Sequence, residues 1–373
     1  MKKIAIILAV AALAACTKSE VAYETPGEIG FNVVGGNITK AVVDGTTYPE
    51  ALNMYVYAET TTNTTTTADY INNAEFTYVK DVNNIKVWGG GSSNTQAGRH
   101  PYYWPNVKKL HFAGYSKSGN VESITPTFSF GTTGSLSLKE YNPGEVTAKG
   151  ANDLMWFPTT ELTKEGGYSK NDPYVDVKMY HTCAWITFLV KGDEVTSNDA
   201  SAYTVTSLTM TGIDKTANVT CSATTTTANG TTTVTPNIVW SGNTDKTGEN
   251  TSYSVTVNNQ GIALGTTAKN VETGVAYPTT GDTEGNIVVI PQVPGKLNLQ
   301  YTYKSSTGTI ITETVEGLDL ALAKDNATTP ATGPTAWEPG KHYIYTITIK
   351  ANEILVAPTP VDWTDSNWNV TVE

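Results

Sequence analysis

Arginine occurs once in the 373 residues, at Arg99, cysteine three times and histidine four times. With so few thiol and imidazole ligands, no CxxC pair and no Cys/His spacing suited to zinc, the chain gives no basis for a metal enzyme. GxSxG, HExxH, the P-loop, the dinucleotide-binding glycine fingerprint and the calcium-loop pattern are all missing. Gly89-Gly90-Gly91 followed by Ser92-Ser93 reads as a flexible turn and not a phosphate cradle. Paired carboxylates such as Asp362 and Asp365 are the remaining acid–base candidates, but carboxylates are common in an acidic chain, and neither an enzyme nor a cofactor is expected. Beyond the first residues, no window of useful length repeats apolar residues at helical spacing, so helices should be few and short.

What is present begins with a positive pair, Lys2-Lys3, an apolar run from Ile4 to Val10, and Leu13-Ala14-Ala15-Cys16. A run of about a dozen apolar residues is too short to span a bilayer, so this is the core of an export signal. Small residues before Cys16 suit a peptidase that cuts there once the thiol is lipidated. The mature chain would begin at Cys16, the lipidation site, and hang from a membrane by acyl chains with its domains outside the cytoplasm. Losing Lys2 and Lys3 leaves 22 basic against 35 acidic side chains, a net charge near −13. Such a chain repels phosphate backbones, and nucleic acid is not an expected partner.

Period-two alternation then recurs along the sequence. It appears at Ile29/Phe31/Val33, Met54/Val56/Ala58, Thr182/Ala184/Ile186/Phe188/Val190, Ile287/Val289, Leu297/Leu299/Tyr301/Tyr303 and Tyr343/Tyr345/Ile347/Ile349. Turn chemistry such as Asn142-Pro143-Gly144 and Pro339-Gly340 separates these segments, which points to β-sandwiches built from many short strands. Scattered threonines fit the outward faces of strands, whereas the runs Thr60 to Thr67, Thr224 to Thr227 and Thr231 to Thr233 read as exposed loops. The 358 residues after the signal suffice for two domains at about 150 each. The best boundary is Glu165 to Pro173, giving a lipidated segment 16–40, an N-terminal domain 41–172 and a C-terminal domain 173–373.

Cys183 and Cys221 lie 38 residues apart in a compartment that permits disulfides. Spacing leaves a bridge open, with two buried thiols favoured. Two aromatic groups, Tyr102-Tyr103-Trp104 and Trp363 with Trp368, could stack on sugar rings, although core filling is the commoner use of such residues. His111 and His181 read as strand residues satisfied by neighbours.

In order along the chain stand the lipobox, Ile38-Thr39-Lys40-Ala41, Leu52-Asn53-Met54-Tyr55-Val56-Tyr57-Ala58 and Tyr103-Trp104-Pro105 leading to Leu110-His111-Phe112-Ala113-Gly114-Tyr115. Asp153-Leu154-Met155-Trp156, His181-Thr182-Cys183-Ala184-Trp185, Val289-Ile290-Pro291-Gln292, Trp337-Glu338-Pro339-Gly340-Lys341-His342-Tyr343 and Val361-Asp362-Trp363 follow. This succession resembles the fimbrillin-like proteins, the type V pilins of Bacteroidales. The resemblance implies an all-β fold of two transthyretin-like β-sandwich domains with Greek-key-type antiparallel sheets. It also implies an outer-membrane lipoprotein whose first strand is removed by a trypsin-like protease, so that a strand of another subunit can enter the vacated groove and build a fimbria. The family's cut commonly falls after Arg followed by Ala; here Lys40-Ala41 stands at that place, so an Arg-specific protease would not accept it.

Sequence physics is compatible with such an exchange. The candidate removable strand offers Ile29, Phe31 and Val33 to one face, and the C-terminus, with a candidate donor strand near 354–373, offers Trp368, Val370 and Val372 at the same period. Three buried anchors supply roughly 5–9 kcal/mol gross, and ladder hydrogen bonds add to it. A head-to-tail contact of this kind does not close on itself and yields a filament. Three roles stay open: a structural fimbrial subunit, a tip or free-standing adhesin for a host glycan or protein receptor, and an anchor that keeps its first strand and acyl chains.

Overall fold

The computed structural model describes residues 28–33, 52–60, 70–82, 85–90, 101–105, 110–117, 126–129, 135–143, 153–162, 174–193, 203–228, 231–242, 252–258, 261–277, 287–321, 333–350 and 354–362. Its regular elements are all strands: β1 (Gly30–Val33), β2 (Met54–Thr60), β3 (Ile71–Val82), β4 (Ile85–Gly90), β5 (Leu110–Lys117), β6 (Thr127–Ser129), β7 (Ser135–Tyr141), β8 (Leu154–Leu162), β9 (Tyr174–Val177), β10 (Tyr180–His181) and β11 (Ala184–Gly192). They continue with β12 (Thr204–Thr211), β13 (Ala217–Ala228), β14 (Thr231–Ser241), β15 (Ser252–Val255), β16 (Ile262–Ala263), β17 (Lys269–Asn270), β18 (Ile287–Val289), β19 (Lys296–Lys304), β20 (Ile310–Asp319), β21 (Lys341–Ile349) and β22 (Ile354–Asp362). The fold is all-β, and there is no helix among the described residues.

An eight-stranded sheet in the order β10-β8-β5-β2-β3-β4-β1-β9 forms the N-terminal half. Alternation along β2 sends Met54, Val56 and Ala58 to one face and Tyr57 to the other, and both faces are buried. The first face belongs to a core that also takes Phe31, Phe76, Trp88, Phe112, Phe157 and Val175, contributed by strands from both ends of the sheet. Phe31 on β1 lies 6.0 Å from Phe157 on β8, although four strands separate β1 from β8 in the sheet order. The sheet is therefore rolled over its own concave side. Close approach at this roll needs Gly114, where a Cβ would stand 2.5 Å from the Phe157 ring and from the Tyr55 carbonyl.

On the other face, Tyr57, Tyr115 and Trp156 pack against Leu136, Leu138, Val219 and Cys221 of a four-stranded sheet in the order β14-β13-β7-β6. Here the two halves of the chain interleave, since β7 from the first half pairs with β13 from the second. Similarly, β9 and β10, which follow the expected boundary at 172/173, hydrogen-bond to β1 and β8 of the N-terminal sheet. The third layer system is a sandwich of β17-β11-β21-β22 with β18 over β15-β12-β19-β20 with β16. Its core holds Ile186, Phe188, Leu208, Leu299, Trp337 and Tyr345.

Most pairings are antiparallel, but β1–β9 and β11–β21 are parallel. The threonine runs differ from expectation as well. Thr224 to Thr227 lie within β13 and Thr231 to Thr233 within β14, in a ladder that continues to Ala228↔Thr231. β-Branched residues at paired backbone positions suit a pleated ribbon, and that pairing overrides the loop reading. Residues 61–67 of the first run lie outside the described residues.

Candidate functional site

The slot occupied by β1 is the place where sequence and structure converge. Only four residues form the strand, yet it has neighbours on both sides, antiparallel β4 and parallel β9. Ile29 and Phe31 are fully buried and Val33 is 6% exposed, so the three expected anchors all point into the core. The Phe31 ring sits edge-on to Phe76 at 5.1 Å and to Phe112 at 5.3 Å, with Phe157 at 6.0 Å. This is an aromatic pocket in which rings meet by the favoured edge-to-face geometry.

The outward face of the strand carries Gly30 and Asn32. Gly30 passes beneath the Tyr174 ring, and a Cβ at this position would stand 2.8 Å from a ring carbon. Asn32 donates through Nδ2 to Asp176 Oδ1 at 2.8 Å. At the entrance, the Ile29 amide donates to the Tyr102 carbonyl at 2.7 Å, and Glu28 bridges Tyr103 in antiparallel fashion. The segment that does this is itself fixed. Tyr102 stacks on Phe76 at 5.8 Å, Trp104 lies edge-on to Phe112 at 5.6 Å, and the Tyr70 hydroxyl donates to the Tyr103 carbonyl. Trp104 is buried and Tyr102 partly so, and both serve the core; Tyr103 is 44% exposed. The sequence offered these aromatics as a sugar platform or as core filling. It carried no signal that they cap the first strand, because that contact spans some seventy residues.

The remaining candidates fall elsewhere. Cys16, Lys40, Ala41, Trp363, Trp368, Val370 and Val372 lie outside the described residues, as does Asp365, the expected companion of Asp362 on β22. Cys183 and Cys221 are free, fully buried thiols in the cluster between the eight- and four-stranded sheets, and burial pushes both thiol pKa values up, which keeps them protonated and unreactive. His111 meets Glu59 at 3.2 Å, and His181 pairs with Asp153 in the interior. Among the described residues, no group of three or more His, Cys, Asp or Glu side chains could hold a metal ion. The slot holds β1 by pockets for alternate side chains and by main-chain partners on both edges.

The sequence model described as fimbrillin-like matches residues 39–363. No curated protein matches the chain. Among solved structures, a putative cell adhesion protein from Bacteroides uniformis ATCC 8492 is similar at 16% identity and a TM-score of 0.48, covering 91% of this chain and 100% of that one. A fimbrial protein from Bacteroides vulgatus ATCC 8482 is similar at 17% identity and a TM-score of 0.48, with 85% and 94% covered. The C-terminally truncated tip fimbrial protein Mfa3 from Porphyromonas gingivalis has 10% identity and a TM-score of 0.35, with 91% and 100% covered.

Proposed function

Because this chain belongs to the fimbrillin-like family, we propose that it is a structural subunit of a cell-surface fimbria, assembled by exchange of its first strand. In this reading the protein is exported as a lipoprotein acylated at Cys16, reaches the outer membrane, and is cut between Lys40 and Ala41 by a trypsin-like protease. β1 then leaves, and the C-terminal segment carrying Trp368, Val370 and Val372 of another subunit takes its place. Its two domains, 41–172 and 173–373, would thereby become links of a filament that supports adhesion. The protein does no chemistry of its own; its partners are other fimbrial subunits, the processing protease and, before processing, the membrane.

The observation that carries this reading is the position of β1. It precedes every other described strand, so a single cut after it severs it from the domain, yet it fills a groove between two neighbours and supplies Phe31 to the core. An emptied groove exposes strand edges and apolar pockets together, and such an edge pairs with whatever extended chain is available. Incubation of the purified, unlipidated precursor with trypsin tests the proposal. Loss of the segment up to Lys40 followed by formation of oligomers is the expected result; retention of the segment, or loss without oligomers, counts against it.

A further inference from the structure

We propose that β9 is a stand-in for β1: once β1 has been cut away, β9 moves one strand position into the emptied slot and holds it shut until an incoming strand displaces it. This rests on the strand-exchange reading above.

The way the eight-stranded sheet closes makes the move possible. β9 ends the sheet order on one side and β10 on the other, yet only Lys178 and Met179 separate them in the chain. Segment 174–181 therefore joins the two ends, pairing with β1 through its first half and with β8 through its second. Among the described residues β1 is the one strand partner of β9, so removal of β1 opens the ring and leaves β4 and β9 with unpaired edges. β9 stays tethered, because Met179 is fully buried in the same core and β10 keeps its ladder to β8.

Direction and facing fit. β1 is antiparallel to β4 and parallel to β9, so β9 already runs antiparallel to β4. A sideways move of one strand spacing, about 5 Å, sets Tyr174 opposite Gly89 and Val175 opposite Trp88. Val175 and Val177 belong to the same core as Phe31 and Val33, so both keep their inward direction. The Tyr174 ring now lies across Gly30, where a Cβ would stand 2.8 Å from a ring carbon, and in its new place Tyr174 again meets a glycine. Loss of Ile29, Phe31 and Val33 empties part of the core, and a ring of one strand fewer contracts onto the gap. A valine among Phe76, Phe112 and Phe157 fills the place of Phe31 incompletely, which keeps the stand-in weaker than β1 and open to displacement.

Disulfide trapping in full-length protein carrying Cys16→Ser, before and after trypsin, reads the move. Gly89→Cys with Tyr174→Cys, and separately Val87→Cys with Asp176→Cys, are held two strand spacings apart by β1, beyond the reach of a disulfide. The precursor should stay unbridged under mild oxidation, whereas each pair should bridge within the chain of the processed monomer. Bridged monomers should fail to assemble until reduced, and the pairs should not bridge when oxidation follows assembly. In the protein without these cysteines, the amides of 174–177 should stay protected from exchange in the processed monomer. An unbridged processed monomer, loss of protection along 174–177, or assembly of bridged monomer without reductant would overturn the inference while leaving strand exchange intact. Retention of the segment up to Lys40 after trypsin, or absence of polymer from the processed parent chain, would remove the exchange reading and this inference with it.

Discussion

Among the described residues two strand pairs are parallel, and under the proposed strand exchange they differ in permanence. β11 and β21 run together over eight residue pairs, Trp185↔His342 through Gly192↔Ile349, and both are held inside the C-terminal sandwich by chain on either side. β1 and β9 share four residue pairs, and β1 stands ahead of every other described strand. Burial does not distinguish them, since Ile186 and Phe31 are equally inaccessible. Ladder length and covalent attachment do. A buried strand is replaceable when it is short and tied at one end, because its contacts can be matched by another segment and nothing else must unravel.

The largest effect should come from the replaceable side. Phe31→Ala in the unprocessed chain should lower stability by about 3–5 kcal/mol in chemical denaturation, since the three surrounding rings cannot collapse onto the gap. Amide exchange along β11 and β21 should be little changed, and equal loss of protection there would deny that the two regions are energetically separate.

Acid should instead challenge the permanent side. His342 is buried, stacked on Trp185 with its Nε2 2.9 Å from Thr187 Oγ1, and burial pushes its pKa down to about 3. The folded ring therefore stays neutral while the ring of the unfolded chain gains a proton below its ordinary value near 6.5. Stability from this group is complete above about pH 6.5 and declines as pH falls from there toward 3, by about 2–3 kcal/mol at pH 4.5. His342→Gln should flatten that part of the profile; an unchanged slope in the variant would assign it to other groups.

Smaller still, Tyr345→Phe removes the hydroxyl that accepts from Trp337 Nε1 at 2.9 Å in the C-terminal core, and should cost about 1–3 kcal/mol. Ile310→Thr, at the 66% exposed end of the edge strand β20, should stay within about 0.5 kcal/mol and serves as the control.

Much of this contrast was legible along the chain. Alternation alone located β1, β2, β11, β18, β19 and β21 and gave one inward face of each, but it missed the second buried face that carries Tyr57, Trp185, Leu189, Val288 and Ile344. Pairing partners were not legible. Nothing in Tyr174-Val175-Asp176-Val177 announces that it lies parallel to Gly30-Phe31-Asn32-Val33, and nothing in the threonine-rich β13 announces β7 as its neighbour. These contacts join residues about eighty or more apart, and they are decided by how whole sheets pack. For the same reason the core-filling reading of Tyr102 and Trp104 did not say which rings they meet, and those are Phe76 and Phe112, which also surround Phe31.

The mass of the subunits released from assembled polymer tests the replaceability of β1 most directly. Chains that begin at Ala41, with no peptide containing Ile29 to Val33 retained in the polymer, are the predicted result. Polymer whose subunits all keep Ile29 to Val33 bound in the slot would contradict it.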